Sequence, residues 1–196
     1  ACALPIFNPL AIAAPTRDEP PFIFDASMSS VAGNKITLAK RLGVDALAGW
    51  VAESDGTPIM DERQVPDDFK ILPLGGTREL GSHKGYSLAV MIEILSAVLS
   101  GGGAGPNRKA GPSHHFLAYK IDAFVDVDMF KDDLDQYMKT LRESEPAPGH
   151  DSMTYAGLPE HEEEKERLEN GIPYHPEVID WFTDIAAELQ LPNRFN

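Results

Sequence analysis

The segment "GSHKG", Gly81–Gly85, stands directly before Tyr86–Leu99, the most apolar run in the chain. The pattern predicts a helix over Lys84–Leu99, so a lysine falls in a first turn. Free N–H groups there carry about half a positive charge, and a cation loses a few tenths of a kcal/mol or more. An anion at that point reverses the sign. Phosphate or carboxylate would gain from the N–H groups, from the Lys84 ammonium and from His83 as donor. Gly81 and Gly85 allow a ligand close to the backbone. The alternative is that Lys84 simply reaches water from an exposed turn.

A second candidate is "FDASMSSVAGNK", in which a strand ending at Asp25 gives way to Ser27, Met28, Ser29 and Ser30. Strand-end turns of α/β folds bind ligands, and hydroxyl and N–H groups suit phosphate. N-capping of the next helix by Ser29 or Ser30 explains the same residues without a ligand. On the apolar helix, Ala89, Glu93, Ser96, Ala97 and Ser100 share a face of small residues around one carboxylate. That pattern favours tight packing with Glu93 at an exposed edge, over a subunit contact or a buried Glu–cation pair. Gly149–His150, in "APGHD", offers a turn where backbone could approach a ligand, or simply a solvent-exposed turn.

His114–His115 does not make a metal pair, because neighbouring residues on a strand point to opposite faces. "HEEEK" at His161 lacks the second histidine of a zinc helix. No metal is expected. "GGGAG" fits neither the dinucleotide fingerprint nor the phosphate loop, so no ordinary Rossmann turn is expected.

The elements that must position these residues follow from periodicity and breakers. "PIFNPLAIAAP" and "PFIFD" read as two short strands split by "TRDEP". A helix is expected near Ser30–Leu42, ended by Gly43. "AGWVAESDGTPIMDE" reads as a strand, an Asp-Gly turn and an extended piece. "GGGAGPNRKAGPS" reads as a flexible loop and "HHFLAYKIDAF" as a strand. Met129, Phe130, Leu134, Tyr137, Met138 and Leu141 recur at helical spacing. "PEHEEEKERLEN" is a charged helix closed by Gly171. Val178, Trp181, Phe182, Ile185 and Leu189 line one face of a final docking helix. The alternation predicts a mixed α/β fold, with residues 1–159 as the main portion and 160–196 as a C-terminal helical extension.

The 196 residues are 42% hydrophobic, enough for one substantial core. A net charge of -14 opposes nucleic acid and anionic membranes as partners. With Cys2 as the one cysteine, no intrachain disulfide can form, which fits a reducing compartment. The start lacks a basic targeting segment, and the apolar run is too short to span a bilayer. The expectation is a soluble, cytoplasmic protein.

Taken in order, "FNPLAIAAP", "FDASMSSVAGNK", "GWVAESDGTPIMDE", "ILPLGGTRELGSHKGYSLAVMIEILSAVLSG", "HHFLAYKIDAF" and "PAPGHD … ENGIPYHPEV" resemble the type-2 malate/L-lactate dehydrogenases. That group also includes sulfolactate, ureidoglycolate and diketogulonate reductases. The resemblance covers nearly the whole chain. It implies a non-Rossmann nucleotide-binding fold, an NAD(P)-dependent oxidoreductase of 2-hydroxy acids, and a homodimer. By motif match it implies that Ser27–Met28–Ser29, His83–Lys84 and Gly149–His150 contact the cofactor, with Asn8 and Asp25 in the vicinity. Gly33–Asn34 replace a usual basic residue and glycine, Ile6–Phe7 stand where Gly-Thr is common, and Ser87 replaces a glycine. These departures leave NAD and NADP both open. The catalytic histidine of the family precedes its "NP" motif, and none of the six histidines here matches it. The expectation is therefore a C-terminal portion that lacks the catalytic half. The alternative is a cofactor-binding or dimerisation module without turnover of its own.

Overall fold

The computed structural model describes residues 8–109 and 111–192. Cys2 and the expected start of the first strand, Pro5–Phe7, lie outside the described residues. Helices and short strands alternate, so the fold is mixed α/β as expected.

The first two strands, β1 (Leu10–Ala14) and β2 (Phe22–Ala26), pair antiparallel with Leu10 opposite Ala26. The polar turn between them is held from outside by α3 (Val127–Arg142). Arg142 clasps Glu19 through two bonds of 2.6 and 3.1 Å. Asp135 accepts from the Asp18 and Glu19 amides, and Arg17 reaches Asp128 and Asp132. Beneath this clasp Met138, Tyr155 and Leu158 form a core with Phe22, Leu134 and Leu141. The Tyr155 hydroxyl donates to the Pro20 carbonyl at 3.0 Å. Of the apolar face expected on α3, Met129 and Tyr137 remain exposed. Asp126 caps α3 by accepting from the amides of Asp128 and Met129.

A second core joins α1 (Gly33–Leu42) to the antiparallel pair β3 (Val51–Glu53) and β4 (Phe69–Ile71). Val31, Ile36, Val51 and Ile59 are its buried centre. The Asp55–Gly56 turn forms as expected. Gly56 takes a φ of 92°, Asp55 accepts from the Thr57 amide, and Ala52 bridges Pro58.

Several expectations need correction. α1 starts at Gly33 rather than Ser30, and its N-cap is Ala32 with no side-chain cap. The Ser30 hydroxyl is drawn instead into tertiary hydrogen bonds, and the Ser29 hydroxyl into local ones with Ser27 and Val31. α2 spans Ser82–Glu93 and then widens into a π-helical turn, Ile94–Val98, in which the Leu99 amide bonds Ile94 five residues back. No strand forms over His114–Phe124; a short 3₁₀ turn occupies Ile121–Ala123. A strand needs a neighbour for its N–H and C=O groups, and no described strand pairs with this segment, leaving Phe116 and Tyr119 exposed. After α4 (Leu158–Asn170), α5 (Pro176–Glu188) buries none of its described residues. Trp181 is 56% exposed. Of the expected face, Val178, Phe182 and Ile185 are half-buried while Trp181 and Leu189 are exposed, and an exposed Arg41–Glu177 ion pair adds a tie to α1.

Candidate functional site

The serine turn and the start of α2 are built into one unit. The Ser30 amide donates to the Leu72 carbonyl at 2.9 Å, and the Leu74 amide donates to the Met28 carbonyl at 3.0 Å. The Ser30 hydroxyl lies 3.0 Å from the Trp50 carbonyl and 3.1 Å from that of Leu72. Ser29 bridges Pro73, while Met28 is buried at 2% exposure. Leu74 in turn lies against α2. A Cβ on Gly85 would stand 2.2 Å from the Leu74 carbonyl oxygen and 2.7 Å from its Cβ. Only glycine lets the helix approach this closely.

Within the turn the hydroxyls form a relay. The Ser29 hydroxyl donates to the Val31 carbonyl at 2.8 Å, so it accepts from Ser27 Oγ at 2.7 Å. Both protons are then committed. An anion here would use backbone N–H groups, or would have to turn the Ser27 hydroxyl outward.

A cavity of about 480 Å³ opens beside the first turn of α2. Pro73, Thr77, Arg78, Ser82, His83 and Tyr86 are among its lining residues. Pro73 links its floor to the serine turn through Ser29. Gly81 precedes the helix with φ 95°, and no acidic residue occupies the first turn. Arg78 and His83 bring donors. Glu79 opposes them; its carboxyl is held below the usual range by its own amide and by the Thr77 hydroxyl. Lys84 is exposed on the same turn but does not line the cavity.

Asn8 belongs to this unit further along α2. Its Nδ2 donates to the Ala89 carbonyl at 2.7 Å and to Glu93 at 3.2 Å. Glu93 does not sit at an exposed edge as expected: its side chain is 12% exposed and paired with Arg108. Arg108 donates to both carboxylate oxygens at 2.9 Å, and the Gly105 amide donates at 2.8 Å. Burial pushes the Glu93 carboxyl upward, but the bonds from Gly105, Arg108 and Asn8 outweigh it and hold the group below its ordinary value. Ala89 and Ala97 are fully buried and Ser96 nearly so, which agrees with tight packing of the small face. The glycine-rich loop is thus tethered rather than free, and the Lys109 amide closes it on the Gly102 carbonyl.

The remaining candidates stand apart. Gly149 takes φ 88° and His150 closes an exposed turn on the Ala147 carbonyl. Asp25 is exposed on β2 opposite Ala11. Among the described residues no hydrogen bond ties these three to the serine turn or to α2. His114 stacks on Phe116 at 6.0 Å. Among the described residues there is no group of three or more His, Cys, Asp or Glu that could hold a metal, and no helix is long and apolar enough to cross a membrane. Sequence reasoning missed Arg78, Thr77 and Tyr86 in the cavity, and Arg108 at Glu93. Glu93 and Arg108 lie fifteen residues apart across a run of glycines, and no periodic signal pairs residues through such a loop.

Comparison with known proteins places this architecture. The family described as malate/L-lactate dehydrogenase matches residues 7–183. A malate dehydrogenase of Pyrococcus horikoshii is 33% identical over 189 residues, covering 93% of this chain and 52% of that protein. A (2R)-3-sulfolactate dehydrogenase (NADP(+)) of Chromohalobacter salexigens is 39% identical over 94 residues, 48% of this chain and 26% of that protein. The crystal structure of malate dehydrogenase from Entamoeba histolytica superposes with a TM-score of 0.78 at 28% identity, covering 94% of this chain and 55% of that one. The chain spans about half the length of the P. horikoshii and E. histolytica proteins. With the family match running through β1, the serine turn, α2 and on into α5, the chain belongs to the malate/L-lactate dehydrogenase family.

Proposed function

We propose that the chain forms the cofactor-binding part of an NAD(P)-dependent oxidoreductase that interconverts a 2-hydroxy acid and its 2-oxo acid, within a non-Rossmann fold. The observation that carries this reading is the joined unit of serine turn, Leu72–Leu74 and the first turn of α2, with a cavity beside it. The residues fit an anionic cofactor. The helix start offers N–H groups with no acidic side chain in the first turn, and Lys84, His83 and Arg78 supply donors around it. A bound nicotinamide supplies the hydride chemistry.

In this reading His83 and Arg78 bind from the cavity wall, and Lys84 neutralises negative charge at the helix start. Ser27, Met28 and Ser29 offer backbone donors, and Gly149–His150 closes on the cofactor from its exposed turn. Asn8 and Asp25 belong to the vicinity of the bound pair. The proton on the acid's 2-oxygen is assigned to a histidine supplied from outside residues 1–196, since that role needs a group exchanging near neutral pH. We further infer a homodimer acting in the cytoplasm, with a division between residues 1–159 and a helical extension over 160–196.

The test is titration of the purified chain with NADH and NADPH, followed by fluorescence, beside turnover assays with pyruvate and oxaloacetate. Binding is expected, and Lys84→Ala should weaken it about tenfold, as for a charge-assisted contact. Binding without turnover would favour a cofactor-binding module. If neither nucleotide binds, or if Lys84→Ala leaves affinity unchanged, Lys84 is a solvent-facing residue and its assignment is lost.

A further inference from the structure

The Asn8–Glu93–Arg108 cluster is not among the cavity-lining residues, and Glu93 and Arg108 have no part in the cofactor contacts proposed above. Its chemistry fixes one orientation. The Ala89 carbonyl and the Glu93 carboxylate are both acceptors, so the Asn8 amide must present its nitrogen to them. Both Nδ2 hydrogens are thereby committed, and Oδ1 is turned the opposite way across the same planar group. Among the described residues Oδ1 has no partner. Among the described residues no buried side-chain polar atom is left without one, so Oδ1, having none, is an acceptor open to solvent.

Its place is equally defined. Asn8 stands two residues before Leu10, the partner of Ala26, where the β1–β2 ladder runs out toward Met28. Its Nδ2 contacts Ala89, one helical turn beyond the Gly85–Leu74 contact. The open acceptor therefore sits where the serine turn meets α2. Glu93 is held in turn by Arg108 and the Gly105 amide, which fold the glycine-rich loop over it.

We propose that Glu93 is a positioning residue that, while clamped by Arg108, turns Asn8 Oδ1 outward to accept a hydrogen bond from the bound nicotinamide cofactor. The inference rests on the nucleotide-binding reading above. Glu93 itself does not touch the cofactor. Its effect passes entirely through Asn8, which distinguishes it from a residue that only stabilises the loop.

The test is a double-mutant cycle on the full chain, read as NADH and NADPH affinity, with folding checked by circular dichroism. Asn8→Ala and Glu93→Gln are each expected to weaken binding about tenfold, and the double variant should be no weaker than Asn8→Ala alone. Glu93→Asp, which keeps the charge but shortens the reach to Asn8, should show the same loss. It carries the test if Glu93→Gln does not fold. In the ¹⁵N-labelled chain, the Asn8 side-chain NH₂ resonances should shift on adding nucleotide. Affinity within twofold of the unsubstituted chain for a folded Glu93 variant overturns the proposal, as do losses that multiply in the double variant. Failure of the unsubstituted chain to bind either nucleotide overturns the cofactor reading as well.

Discussion

Tyr155 shows how a single side chain can be assigned a role. Its ring is buried with Met138 and Leu158, and its hydroxyl donates to the Pro20 carbonyl. Tyr155→Phe keeps the packing and leaves that carbonyl without its donor. The expected loss is about 1 kcal/mol in urea unfolding, with no change in nucleotide affinity; a matching loss of affinity would show that the clasp and the site are coupled. Glu93 makes a prediction in pH. Its folded carboxyl lies below the ordinary value of 4.5, so its stabilisation is present above that value and is lost as pH falls through the lower folded one. Asp135, accepting from the Glu19 and Asp18 amides, behaves in the same direction from 3.8. The thermal midpoint should fall with acidification below about pH 4.5, and less steeply in Glu93→Gln; an equal slope in the two proteins would remove Glu93 from the account. Lys84 and His83 were legible as residue types beside glycine. Arg108 was not, because its partner is set by how the loop returns.

At the scale of elements, α2 carries the most information. Its apolar run and the glycine before it marked a helix, and the structure starts it two residues earlier, at Ser82. The π-helical turn at Ile94–Val98 had no signal, since an inserted residue changes bonding without changing composition. Gly85 is the element's packing constraint. Gly85→Ala would force a Cβ into the Leu74 carbonyl, and the expected cost is about 3 kcal/mol, the upper end for overpacking. It should also weaken nucleotide binding, because Leu74 ties the helix to the serine turn through Met28. An unchanged unfolding midpoint in urea would show that the two elements can part at no cost. The serines were legible as a turn yet ambiguous in purpose. Capping explained them locally, and the structure instead sends Ser30 to Trp50 and Leu72. That choice depends on a neighbouring strand which no local rule supplies.

For the whole molecule the informative quantity is surface. The chain exposes 14181 Å² at 21.4 kDa, whereas a folded monomer of that mass exposes about 9,100 Å². Exposed apolar side chains contribute to the difference, among them Leu95 and Leu99 beside α2 and Phe116 and Tyr119 in the unpaired segment. Surfaces of this kind bury themselves against protein, in line with the proposed homodimer. The net charge of -14 works against contact between copies, and salt screens that repulsion. Sedimentation should therefore show association that grows with concentration and with added salt. A constant mass of one chain across micromolar concentrations would exclude self-association as the way these faces are covered.

The sequence by itself determined the order of the α-helices, the strands β1 and β2, the Asp55–Gly56 turn, the end of α1 at Gly43, and the glycine before α2. Each rests on local backbone preference or on the period of the apolar residues. The motifs in order also pointed to the family that the comparisons show. The tertiary structure alone decided that Glu93 is partly buried and paired, that Ser30 staples strand ends rather than caps a helix, and that His114–Phe124 forms no strand. The physical reason is common to all three. A polar group is satisfied by whichever partner the fold brings within hydrogen-bond distance, and that partner is remote in sequence.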